Sequence, residues 1–163
     1  MAPVIFIATL ALLLTAAAIA LRQRSMTFRV PATLASVRRI GRQVKRFVRY
    51  ANLDEEAAFQ CQLAVDEAAA NIIRHSYPNN AGGAIEVFLQ AVDGEFTIHL
   101  TDFGIPYDPE MIKARQKDLL LEAARPGGWG LYFMRAMMDE VTYTPSPHGN
   151  SLVMVKRRMP VDG

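Results

Sequence analysis

Apolar residues in this chain recur with two different periods. Leu34, Val37, Ile40, Val44, Phe47 and Val48 are spaced by threes and fours, which predicts an amphipathic helix with Thr33 as a candidate cap. The run from Leu63 to His75 is rich in Ala and holds no Gly or Pro. It predicts a long central helix that Asp54 can cap and that ends near His75. Phe28 and Val30 alternate with polar neighbours and stop at Pro31, the pattern of a short edge strand. Ile85 to Val92 and Glu95 to Leu100 alternate around Asp93-Gly94, a hairpin signal. Tyr77 to Gly83 reads as a loop. Leu131 to Met138 reads as a third helix, and Val141 to Thr144 and Leu152 to Lys156 as two last strands. Together these elements predict an α/β domain. Its expected form is an α+β two-layer sandwich, a mixed and mostly antiparallel sheet covered on one face by helices.

The chain has 163 residues, 51% of them apolar and 21% charged, which suits one domain with a proper core. A net charge of only +2 gives no support for bulk nucleic-acid binding, and no direct nucleic-acid contact is expected. The one cysteine, Cys61, falls inside the apolar pattern of the central helix and reads as a buried, inert thiol.

Residues Ala2 to Leu21 carry no charge, and Arg22 and Arg24 follow. That length suits a bilayer-spanning helix, and the arginines would keep the rest of the chain on the cytoplasmic side. A secretory signal competes, since Ala18-Ile19-Ala20 resembles a cleavage site, but no basic residue precedes the apolar run. A start codon assigned too early competes as well, because Met26 opens the strand pattern. The expected division is therefore residues 1–25 as an apolar segment and 26–163 as the domain. The expected location is cytoplasmic, with or without a tether to the inner face of the plasma membrane through residues 2–21.

Three stretches carry candidate chemistry. Glu67 and Asn71 are four apart and share one helical face. The carboxylate can accept a proton and the amide oxygen can bind a hard cation. Asp102-Phe103-Gly104 sits where a strand ends, so a buried carboxylate there can accept from an exocyclic amine while glycine lets a flat ring approach. Gly127, Gly128 and Gly130 precede a helix, and bare backbone N–H groups at a helix N-terminus favour phosphate. Each stretch alone has an ordinary reading, as a solvated helix face or a Gly-rich turn. The basic residues Arg38, Arg39, Arg42, Lys45, Arg46 and Arg49 read as a solvated face, or as a docking surface for an acidic partner or lipid headgroups.

The order of these stretches gives specificity. Asp66-Glu67-Ala68-Ala69-Ala70-Asn71 comes first, then Asp102-Phe103-Gly104-Ile105-Pro106, then Gly127-Gly128-Trp129-Gly130-Leu131, and last Gly149-Asn150-Ser151. Over roughly residues 27–158 this resembles the GHKL (Bergerat-type) ATP-binding fold, and within it the anti-sigma factor serine/threonine kinases. The resemblance implies ATP and Mg²⁺ as cofactors. It implies Glu67 as the catalytic base, Asn71 as the Mg²⁺ ligand, and Asp102 and Gly104 at the adenine. It implies residues 107–126 as a lid, and Gly127, Gly128, Gly130 and Leu131 at the phosphates. Arg125, by its position beside those glycines, is a candidate for the γ-phosphate.

The resemblance further implies a kinase that phosphorylates a small STAS-type anti-sigma factor antagonist and sequesters a sigma factor. The alternative is an ATP-gated protein-binding switch with little or no phosphotransfer. Homodimer formation through the basic helix or the sheet edge stays open. His75, His99 and His148 do not suit a phosphoacceptor on a dimerisation helix and are expected to be structural.

Overall fold

The computed structural model describes residues 23–78, 82–106 and 129–159, together with Ile5, Ile7 and Thr9. In chain order the elements are β1 (Arg24–Pro31), α1 (Leu34–Phe47), a 3-10 turn (Val48–Ala51), α2 (Glu55–His75), β2 (Ala84–Val92) and β3 (Glu95–Asp102). They are followed by α3 (Trp129–Met137), β4 (Glu140–Thr144) and β5 (Asn150–Arg157). The strands form one five-stranded sheet in the order β1-β2-β3-β5-β4. All four pairings are antiparallel.

The sheet follows from the alternation. Ile85, Val87, Leu89 and Ala91 of β2 and Phe96, Ile98 and Leu100 of β3 are fully buried, while their neighbours are half-exposed on the opposite face. Val92 pairs with Glu95, so Asp93-Gly94 forms the expected two-residue turn, with Gly94 at a φ of 83°. That sign of φ strains any residue with a Cβ. β1 is an edge strand as expected. It begins at Arg24, ahead of the expected domain start at Met26, because Arg24 and Ser25 already pair with Ala91 and Gln90.

Helix α2 is the centre of the helical layer, packed between α1 and α3. Its start is fixed by Asp54, whose side chain accepts a hydrogen bond from Ala57 N at 2.7 Å. Its small buried residues, Ala58, Ala64, Ala68 and Ala69, let the layer sit close to the sheet. Cys61 is buried among them, and burial pushes its thiol up to about 12, which keeps it protonated and inert. In α1, Ile40 and Val44 are buried, but Leu34 is 68% exposed because it starts the helix beyond the edge of the core. Thr33 occupies the N-cap position without capping, and its hydroxyl pairs with the Ser36 hydroxyl at 3.1 Å instead. Among the described residues no helix is long and apolar enough to cross a membrane. Residues 2–4, 6, 8 and 10–21 of the apolar segment lie outside the described residues.

Candidate functional site

Two chain ends meet at the site: the C-terminal end of α2 and the end of β3. Glu67 and Asn71 lie on α2, both half-buried, where their spacing puts them on one face. Arg74, one turn on, makes a long hydrogen bond of 3.5 Å from Nη1 to Asn71 Oδ1. Asp66, beside Glu67, points the other way, toward Gly41 of α1. A Cβ on Gly41 would lie 2.3 Å from Asp66 Oδ1, so glycine is what lets the two helices approach here. That oxygen is buried and has no hydrogen-bond partner among the described residues. Burial pushes the Asp66 carboxyl above its ordinary value, Gln62 pulls it down by hydrogen bonding, and the Glu67 charge adds to the rise.

At the end of β3, Asp102 is 2% exposed. Its Oδ1 accepts from Gly104 N at 3.0 Å and from Asn150 Nδ2 at 3.0 Å. Asn150 Nδ2 also donates to Gly104 O at 3.2 Å. An amide facing a carboxylate and a carbonyl must present its NH₂ group, which turns Asn150 Oδ1 away from both. That oxygen is buried and accepts no hydrogen bond among the described residues. Asn150 is itself 1% exposed. A buried acceptor left without a donor is costly unless a ligand or water supplies one.

The Asp102 loop is fastened to Ser76 and Tyr77, which directly follow α2. Ile105 N donates to Ser76 O at 2.9 Å. Phe103 N donates to the Tyr77 hydroxyl at 2.8 Å, and that hydroxyl donates to Ala84 O at 2.9 Å. Gly104 lies so close to the chain after α2 that a Cβ would fall 2.2 Å from Ser76 O. Backbone cannot yield there, so glycine is required by this contact whatever it does for a ring. Gly83 is likewise covered by the Tyr77 ring, 2.1 Å from where its Cβ would be. The carboxylate on β3 is therefore joined, through Ser76 and Tyr77, to the helix that carries Glu67 and Asn71.

Asn150 was missed by the sequence reading as a site residue, since an Asn after Gly149 looks like a turn position. It acts on Asp102 through strand register: the two residues are paired across β3 and β5. Tyr77 reads as a loop residue and Ser76 draws no reading, yet both are buried and hold the Asp102 loop. Leu131 is helical as expected, and Gly130 lies in the first turn of α3, not in a loop before it, because the helix already starts at Trp129. Arg125, Gly127 and Gly128, and the whole of the expected lid, residues 107–126, lie outside the described residues, which resume at Trp129. His99 faces away from the site on β3, where its Nε2 pairs with the Ser151 hydroxyl at 2.7 Å, a structural role as expected.

The residues present fit a purine nucleotide. Among the described residues both donors to Asp102 reach Oδ1, and Asn150 contributes a second, orphaned acceptor. Two acceptors suit an exocyclic amine, which has two N–H donors. The fit to Mg²⁺ is narrower. Among the described residues no group of three or more His, Cys, Asp or Glu could hold a metal. Asn71 offers one amide oxygen, which suits an ion that takes its remaining ligands from phosphates and water.

Comparison with known proteins agrees with this geometry. A profile of the histidine kinase-like ATPase domain matches residues 30–156. The chain is 30% identical over 133 residues to the serine-protein kinase RsbW of Staphylococcus aureus, covering 78% of this chain and 83% of that protein. It is 31% identical over 102 residues to the serine/threonine-protein kinase BtrW of Bordetella bronchiseptica, covering 63% of this chain and 72% of that one. A crystal structure of the RsbU and RsbW domains of a Mycobacterium tuberculosis protein shares the fold, with a TM-score of 0.56 at 17% identity over 82% of this chain. This chain spans 32% of that longer one. The protein belongs to the histidine kinase-like ATPase family, in the company of protein-serine kinases.

Proposed function

We propose that this protein-serine kinase transfers the γ-phosphate of ATP to a Ser or Thr hydroxyl on a small STAS-type antagonist protein, and that it sequesters a sigma factor between rounds. The observation that carries the reading is the joining of the Asp102–Asn150–Gly104 cluster to the helix end that bears Glu67 and Asn71. One end of that assembly suits a base with an exocyclic amine. The other presents a proton acceptor and a hard-cation ligand four residues apart.

In this reading Asp102 and Asn150 accept from the adenine amine, and the Gly104 backbone lies against the ring. Asn71 would hold Mg²⁺, and the ion when bound would neutralise phosphate charge. Glu67 takes the proton of the attacking hydroxyl as its oxygen bonds to the γ-phosphorus and the bond to the β-phosphate oxygen breaks, releasing ADP. Such a transfer depends mostly on positioning and charge neutralisation, with the base adding a smaller part. Gly127, Gly128, Gly130 and Leu131 would supply backbone N–H groups to the phosphates, and Arg125 a cation to the γ-phosphate. Residues 26–163 would constitute the kinase domain.

The names of the relatives support the kinase reading. The test is phosphate transfer from labelled ATP, with Mg²⁺, to a STAS-domain protein encoded in the same genome. Labelling that requires Glu67 supports the kinase. ATP binding without labelling, unchanged in Glu67→Ala, supports the switch that only binds nucleotide.

A further inference from the structure

The chain separates its charges by position. Asp54 is its first acidic residue. Nine of the eighteen Lys and Arg residues precede Asp54, and all sixteen acidic residues lie at or after it. The first third is therefore purely basic and the remainder net acidic, although the whole is almost neutral. Six of the nine fall on one element and its extension. Arg38, Arg39, Arg42, Lys45 and Arg46 are exposed on α1, and Arg49 is exposed on the 3-10 turn that follows. Among the described residues none of these six makes an ion pair. An ordinary solvated helix face mixes signs along its length, which this one does not.

The placement of this face matters as much as its charge. It lies on the exposed side of α1, whose buried Ile40 and Val44 turn the other side to the core. At the end of the basic run, Tyr50 is 47% exposed, and the Arg24 guanidinium stacks over its ring at 4.5 Å from the centroid. That contact pins the entry of β1 to the C-terminal end of the basic face. Directly before this entry the sequence holds Arg22 and then, from Ala2 to Leu21, a stretch with no charge at all. In sequence, the apolar stretch therefore leads directly into the end of β1 that sits against the basic face.

We infer that the outer face of α1 docks on an anionic lipid bilayer. Its basic residues would lie on the headgroups while the apolar stretch before Arg22 provides the second attachment. Stable membrane attachment takes two signals, and an apolar segment joined to a polybasic surface supplies both. Exposed Tyr50 at the junction has the amphipathic character favoured at the headgroup level. An acidic protein would answer the charge of α1 but leaves the adjoining apolar stretch without a role. The sequence that adjoins the basic face therefore favours the bilayer. This inference is independent of the nucleotide site.

The test is vesicle co-sedimentation of the full chain. Neutral phosphatidylcholine vesicles are compared with vesicles that also contain phosphatidylglycerol, at low and high salt. The variants are Arg39→Glu/Arg42→Glu/Arg46→Glu and its charge-preserving counterpart Arg39→Lys/Arg42→Lys/Arg46→Lys. These residues are exposed, and an unchanged circular dichroism spectrum certifies the fold. The full chain is expected to prefer the anionic vesicles, with the preference weakened by salt. The Glu variant should lose roughly 100-fold or more in that preference, and the Lys variant should keep it. Equal binding to both vesicles, or a Glu variant that binds like its parent, overturns the inference in favour of the apolar stretch alone. Failure to bind either vesicle, with salt-sensitive retention on polyglutamate, overturns it in favour of an acidic protein.

Discussion

Asn150 stands directly opposite Asp102 in the β3–β5 ladder, and its amide spans the gap to the carboxylate at 3.0 Å. The same NH₂ group holds the Gly104 carbonyl, so one side chain fixes both the carboxylate and the glycine beside it. Replacing Asn150 with Ala removes two hydrogen bonds from a site closed to water. ATP affinity is expected to fall by about tenfold to a hundredfold, the worth of about 1–3 kcal/mol for an unmade buried polar contact. Asn150→Asp should be worse, since it sets a second carboxylate against Asp102. Calorimetry with ATP on both variants reads the difference.

Gly104→Ala is expected to destabilise the whole domain and not only the site. The new Cβ would overlap Ser76 O, with the Ser76 carbonyl carbon only 2.7 Å away. Relief requires the Asp102 loop to part from α2, breaking the Ile105 to Ser76 bond. Overpacking of this kind costs about 1–3 kcal/mol. Urea unfolding should show a lower midpoint with an unchanged slope.

Much of this arrangement was legible in the residues themselves, where the signal is local. Asp93-Gly94 between two alternating runs can hardly be anything but a hairpin, and Asp54 before an Ala-rich run caps a helix by its own chemistry. Asp102 could be found because a carboxylate at a strand end is conspicuous. Asn150 could not, because what it does depends on which residue β5 sets opposite it, a pairing 48 residues distant in the chain. Tyr77 hid for a similar reason: its hydroxyl joins Ala84 and Phe103, which only the folded sheet brings together. Leu34 fitted the helical period but not the core, since period gives a face and not how far the opposing layer extends.

Glu67→Gln should separate chemistry from binding. The amide keeps the size of the carboxylate but cannot take a proton. Phosphate transfer is expected to drop by about 10²–10⁴-fold, the usual range for losing a general base. ATP affinity should stay close to that of the parent, because Glu67 is assigned to the hydroxyl and not to the nucleotide. Single-turnover transfer and calorimetry on the same preparation test both halves.

Asp66 gives the domain a pH dependence. Its carboxyl is held above the ordinary value of 3.8, chiefly by burial. The folded state therefore binds a proton that the unfolded state has already released. The stability this contributes is fully present below the unfolded pKa and is lost as pH rises through the folded pKa. Asp66→Asn removes the titration while keeping the shape against Gly41. The variant's stability relative to the parent is expected to rise as pH is raised from strongly acid conditions toward neutrality. Urea midpoints for both proteins across that range provide the check, and parallel curves would refute it.

The most direct test of a nucleotide site between α2 and β3 is calorimetry of the full chain with ATP, with and without Mg²⁺, beside Asn71→Ala and Asp102→Asn. Binding that depends on Mg²⁺ in the parent, is lost with Asp102→Asn, and loses its Mg²⁺ dependence with Asn71→Ala is the expected result. A folded parent protein that binds no ATP, or binds it equally well in both variants, would contradict the assignment of these residues.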